Sequence, residues 1–192
     1  MRIERLAILA VCSLALVAVS CGSDDAGSTS GSTSGPTPAT GPPWGLDGVE
    51  MPNDSEAVED VFAAFPQELA GLERSDVSPT QVSYGNGATF VRAIDLAQVE
   101  AEGFPGTAPQ YLDLLAGSGE VDVETKVTDA DAPLVYLAST GSVQDAPDAE
   151  PRTTYDAAWG DPDGGWLFAV SATTPEDREA LASAFAAAVG SR

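Results

Sequence analysis

The sequence predicts an α+β domain: an antiparallel sheet of about six strands, helices packed on one face, and a C-terminal amphipathic helix. Three observations carry this. The segments Gly85-Asn86-Gly87 and Asp161-Pro162-Asp163-Gly164-Gly165 each separate two β-prone runs; residues that tolerate positive φ at such places mark hairpins. Residues 120–128 alternate apolar and polar, the period of a half-buried strand. Leu181, Ala184, Phe185, Ala188 and Val189 recur at helical spacing, which makes one apolar stripe.

Each element follows in order. Asn53-Asp54-Ser55-Glu56 carries a capping-box pattern, with Glu56 three positions after Asn53, and Val58, Val61, Phe62 and Phe65 supply the stripe of a helix over 54–65. Pro66 ends that helix, and a short turn through 67–69 follows, with Leu69 and Leu72 adding to the buried face. Residues 80–84 and 88–95 form the first hairpin. Residues 96–103 read as one helical turn or a loop. Residues 108–116 form a short helix, with Pro109 in its first turn and Gly117 closing it. The strand over 120–128 has Val121, Val123, Thr125 and Val127 facing inward and Glu120, Asp122, Glu124 and Lys126 facing water. A more buried strand over 133–138 and an acidic loop over 143–151 come next. Residues 153–159 and 166–172 form the second hairpin. Thr174 caps the last helix, Pro175 opens it, Glu176 and Asp177 sit at its positive dipole end, and Gly190 stops it.

Composition narrows the function. The chain has 192 residues, with 8 Lys+Arg against 30 Asp+Glu, a net charge of −22 and no His. So negative a surface repels phosphate backbones, which argues against nucleic acid as a partner. Without an imidazole there is no Ser-His-Asp or Cys-His nucleophile pair and no His-ligated metal site.

The first residues form a targeting segment. Arg2 and Arg5 precede the apolar run 6–19, which is shorter than the roughly 20 residues of a membrane span and suited to a signal-peptide core. The run ends in Ala18-Val19-Ser20-Cys21. Here the chain resembles a bacterial lipoprotein, whose lipobox places small residues before a lipidated Cys; Ala18 stands where Leu is usual. The likeness, specific over residues 1–21 alone, is to the envelope lipoproteins of high-GC Gram-positive bacteria. It implies removal of residues 1–20, a diacylglyceryl thioether on Cys21, and a domain held outside the cell membrane. Cys12 would leave with the signal, so no free thiol or disulfide is expected afterwards. Residues 22–45 are rich in Gly, Ser, Thr and Pro. With Cys21 they read as a disordered tether (21–45) with a reach of about 25–30 Å. Residues 46–192, about 147 in number, match the usual size of one domain. Trp44, at the end of the tether, is expected to seat the linker on it.

No constellation in the domain spells out a reaction. Asp161/Asp163 and Asp129/Asp131 lack the later oxygens of a calcium loop and read as turns. No metal or cofactor is expected. Trp159, Trp166, Tyr155 and Arg92 form the possible binding surface, although the two Trp could instead pair across the hairpin within the core. Arg92 could serve a structural ion pair or grip an anion. The expected function is non-catalytic binding or scaffolding in the cell envelope, with the membrane as one partner through Cys21 and another envelope protein as the second. The alternatives are a carrier of a small apolar ligand or lipid, recognisable by an enclosed apolar cavity, and a carboxylate-dependent hydrolase, recognisable by converging acids in a cleft.

Overall fold

Asp54, one residue beyond the expected cap, starts the first helix: its carboxylate accepts a hydrogen bond from the Ala57 amide at 2.8 Å. Helix α1 spans Ser55–Ala63 and buries Val58, Val61 and Phe62. This computed structural model describes residues 43–144 and 150–192, all within the compact unit Ala39–Arg192. The expected signal segment, Cys12, Cys21, most of the expected tether and the centre of the acidic loop lie outside the described residues.

Among the described residues eight strands are present where about six are expected. The two additional strands are β1 (Glu68–Leu69) and β2 (Leu72–Ser78), joined through Ala70 (φ 51°) and Gly71 (φ 82°). Two left-handed residues in succession make the tight hairpin turn that matches strand twist. The polar run Glu73-Arg74-Ser75-Asp76 gives β2 no apolar alternation. The strand is held by pairing with β3 (Gln81–Tyr84), with a bulge between Arg74 and Asp76. Then come β4 (Thr89–Asp95), α2 (Leu96–Ala101), α3 (Ala108–Gly117), β5 (Val121–Val127), β6 (Val135–Val143), β7 (Arg152–Gly160), β8 (Trp166–Ala172) and α4 (Pro175–Gly190). Thr174 caps α4 by accepting from the Asp177 amide at 3.1 Å, as its sequence predicts.

The sheet order is β1-β2-β3-β4-β8-β7-β6-β5, antiparallel at every described pairing. Two meanders thus meet where β4 pairs with β8. Helices cover both faces, which corrects the expectation of one. On the first face Val82, Val91, Ala157, Trp159, Phe168 and Val170 pack with α1 and with Leu181, Phe185 and Val189 of α4. On the second, Val135, Leu137, Ala158 and Leu167 pack with Leu96 of α2 and with Ala108 and Leu112 of α3. Ala157-Ala158-Trp159 and Leu167-Phe168 place apolar neighbours on opposite faces. Such strands lose the alternation that betrays a one-sided sheet.

The first described element is the 3₁₀ turn Pro43–Gly45. Trp44 packs edge-on to Tyr136 at 6.3 Å and tilted against Trp159 at 5.9 Å between ring centroids. Its backbone is left-handed, at φ 67°.

Candidate functional site

The four residues singled out as a binding surface do not converge. Trp159 is 0 % exposed and belongs to the core. It lies opposite Phe168 across the β7–β8 pairing and meets Phe185 of α4 edge-on at 5.2 Å, with Phe168 and Phe185 4.6 Å apart. The cross-strand partner of Trp159 is therefore Phe168; Trp166 pairs with Asp95. Trp166 is partly buried against the same core, and Tyr155, half-buried, shares that face through its pairing with Ala172. Arg92 lies on the other face, in register with Gln81 and Ala169, its guanidinium 6.0 Å from the Phe90 ring centroid. Period-2 alternation from Val91, a first-face core residue, dictates that separation.

The two Asp-x-Asp segments are turns. The Asp131 amide donates to the Asp129 carboxylate at 3.0 Å, and the Gly164 amide donates to the Asp161 carbonyl at 3.1 Å. Partial burial, and then the nearby Glu50 charge, raise the Asp161 pKa above the ordinary carboxylate value. Among the described residues, no group of three or more His, Cys, Asp or Glu is arranged to hold a metal ion. Asp156 accepts from the Thr154 hydroxyl at 2.8 Å.

Two charged clamps were not foreseen. Arg178 lies three residues before Leu181, on the buried stripe of α4, and that position was its signal in the sequence. Its guanidinium meets Glu124 of β5 at 2.9 Å, and Nη1 donates to the Asp156 carbonyl at 3.5 Å. Glu124 also accepts from Thr140 at 3.1 Å; the Arg178 hydrogen bond is the main cause that lowers its pKa. On the other face Lys126 donates to Asp113 of α3 at 2.8 Å, and Thr128 donates to the same oxygen at 3.0 Å. The Lys126 hydrogen bond leads in lowering the Asp113 pKa.

A bulge explains why Glu124 and Lys126 turn to opposite helices when alternation puts both in water. The register of β5 with β6 shifts between Val123 and Thr125, and one extra residue reverses the faces that follow. Val123 pairs with Ser139, Lys126 with Leu137 and Val127 with Tyr136. Val123 and Val127 therefore lie on opposite faces rather than on one shared inward face, and Val123 is 43 % exposed.

Two open surface depressions lie over this body. One is bordered by Glu59, Asp60, Arg74 and Val77. The other, at the Val121 end of β5, is bordered by Glu120, Asp122, Thr140, Ser142 and Thr153. No helix among the described residues is long and apolar enough to cross a membrane. Neither a protein-family model, nor a known protein, nor a solved structure matches the chain.

Proposed function

We propose that the protein is a lipid-anchored, extracytoplasmic module that works by non-catalytic binding or scaffolding in the cell envelope. The observation that carries the binding role is the filling of both sheet faces. Trp159, Phe168 and Phe185 interlock on one side, and Leu112, Val135, Leu137 and Leu167 pack on the other. A carrier needs an enclosed apolar cavity; the two depressions described above are open, with charged side chains on their borders beside Val77 and Val121. With the interior occupied, the outer surface is left to do the work. The sequence Ala18-Val19-Ser20-Cys21 supports the anchor. Lipid must hold a chain whose charge opposes an anionic bilayer, and two or more acyl chains suffice for stable attachment.

Fractionation of cells making the full chain tests the placement. The wild type is expected in the membrane fraction with an acylated Cys21 at its N-terminus, and Cys21→Ser is expected in the soluble fraction. Unchanged partitioning of Cys21→Ser would overturn the anchor. Native mass spectrometry tests the role: a co-purifying small apolar molecule at one equivalent would favour the carrier.

A further inference from the structure

Strand β5 ends the sheet, and among the described residues no strand pairs with its outer side. Outward backbone amides and carbonyls of an edge strand are a template for a further strand unless the edge is blocked. Here only part is blocked. The register shift between Val123 and Thr125 ends the regular ladder that a further strand could extend. Before the bulge, Val121, Asp122 and Val123 run in unbroken register with Gly141, Thr140 and Ser139.

The two faces of that open half differ in chemistry. Asp122 shares the α4 side with Thr140, and Glu120 joins it around the adjoining depression. Half-buried Val121 and exposed Val123 lie on the other side, with the exposed Val143 of β6. This half also lies toward the opposite end of β5 from Trp44. Trp44 rests on Tyr136, which pairs with Val127, whereas Val121 pairs with Gly141 five residues further along β6, about 17 Å away at roughly 3.3 Å per residue.

We propose that residues 121–123 of β5 dock an extended segment of a partner protein by strand addition, and that this segment alternates basic and apolar side chains. Basic residues lie opposite Glu120 and Asp122, and apolar ones opposite Val121 and Val123. Charge complementarity selects this occupant: a chain of net charge −22 attracts a basic partner and speeds the encounter. A second copy of the same edge fits poorly. Its one lysine, Lys126, lies on the face opposite to Asp122, so antiparallel self-pairing cannot join the two. The docking proposal rests on the binding-module function and adds its partner class.

The test titrates the full chain in detergent micelles with an end-blocked hexapeptide that alternates lysine and valine, read by amide NMR shifts. Saturable shifts centred on residues 121–123 are expected. The affinity should fall about fivefold in Glu120→Gln/Asp122→Asn and at least tenfold in Val123→Lys, a change at an exposed position, and should hold in Glu56→Gln/Glu59→Gln on α1. Equal binding of a peptide with its lysines and valines in separate blocks, equal loss in the α1 variant, or no shift at 121–123 would overturn strand addition. In cells, a photocrosslinking residue is placed at 123 and at a panel of other surface positions. Protein adducts from the other positions but not from 123 overturn the edge and leave the module standing; no protein adduct from any position overturns the module as well.

Discussion

Arg178 and Glu124 meet at 2.9 Å with unequal surroundings: the guanidinium side chain is 8 % exposed and the carboxylate side chain 39 %. The pair ties the last helix to the sheet's outermost strand, and its two halves should respond differently to removal.

Glu124→Ala leaves a buried guanidinium with only the distant Asp156 carbonyl, and is expected to cost about 2 kcal/mol. That is less than the roughly 3–5 kcal/mol of a fully buried pair, because water reaches the carboxylate. Arg178→Met keeps apolar bulk and leaves a carboxylate that water can solvate, so about 1 kcal/mol or less is expected. Urea unfolding midpoints check the order, and a larger loss for Arg178→Met would refute it.

Acid should weaken the fold through the two clamps. The Glu124 and Asp113 pKa values are lowered, chiefly by hydrogen bonds from Arg178 and Lys126. A depressed carboxylate binds fewer protons folded than unfolded, so its contribution is present above the ordinary carboxylate range, about 4, and is lost as pH falls through the folded value. Asp161 has the opposite sign, because burial and Glu50 raise its pKa. Asp161→Asn should therefore stabilise the protein at pH 7, and the gain should vanish as pH falls through that raised value into the ordinary carboxylate range. Unfolding midpoints between pH 3 and 7 test both signs.

Trp44 combines ring contacts with a left-handed backbone at φ 67°. Trp44→Ala loses the contacts and keeps the strain, an expected cost of about 2 kcal/mol. Trp44→Gly loses the same contacts but relieves about 1 kcal/mol of strain. The glycine variant should melt above the alanine variant, reversing the usual order within helices and strands.

Two glycines should differ in tolerance. A Cβ at Gly160 would stand 2.8 Å from the Trp166 carbonyl oxygen, whereas one at Gly141 would meet the side-chain oxygens of Thr154 at 2.9 Å and Asp156 at 3.2 Å. Backbone within the β7–β8 hairpin cannot retreat, so Gly160→Ala is expected to cost about 2–3 kcal/mol. Side-chain ends can turn aside, so Gly141→Ala should cost about 1 kcal/mol. Comparable melting temperatures for the two variants would contradict this.

Local signals were legible where neighbours a few residues apart decide the outcome. Both marked hairpins form, β3–β4 around Gly85-Asn86-Gly87 and β7–β8 around Asp161-Pro162-Asp163. The Thr174 cap and the stripe through Leu181 and Phe185 place α4. Strand β2 was not legible, because Glu73, Arg74 and Asp76 mask it and only the ladder with β3 makes it a strand. Of the nominated surface residues, Trp159 takes the core position the sequence offered as its alternative, but with Phe168 rather than Trp166 as its cross-strand partner. Nothing next to it in the chain says that Phe168 and Phe185 will enclose it.

By itself the amino-acid order determined the absence of imidazole chemistry, the α+β class, six of the eight described strands and the closing helix. Each rests on residue type, short-range periodicity or turn conformation. Only the tertiary structure decided that helices cover both faces, that a bulge sends Glu124 to Arg178 and Lys126 to Asp113, and that residues 121–123 remain at an open edge. Those outcomes depend on register between strands distant in sequence, and one inserted residue is enough to exchange every inward and outward side chain beyond it.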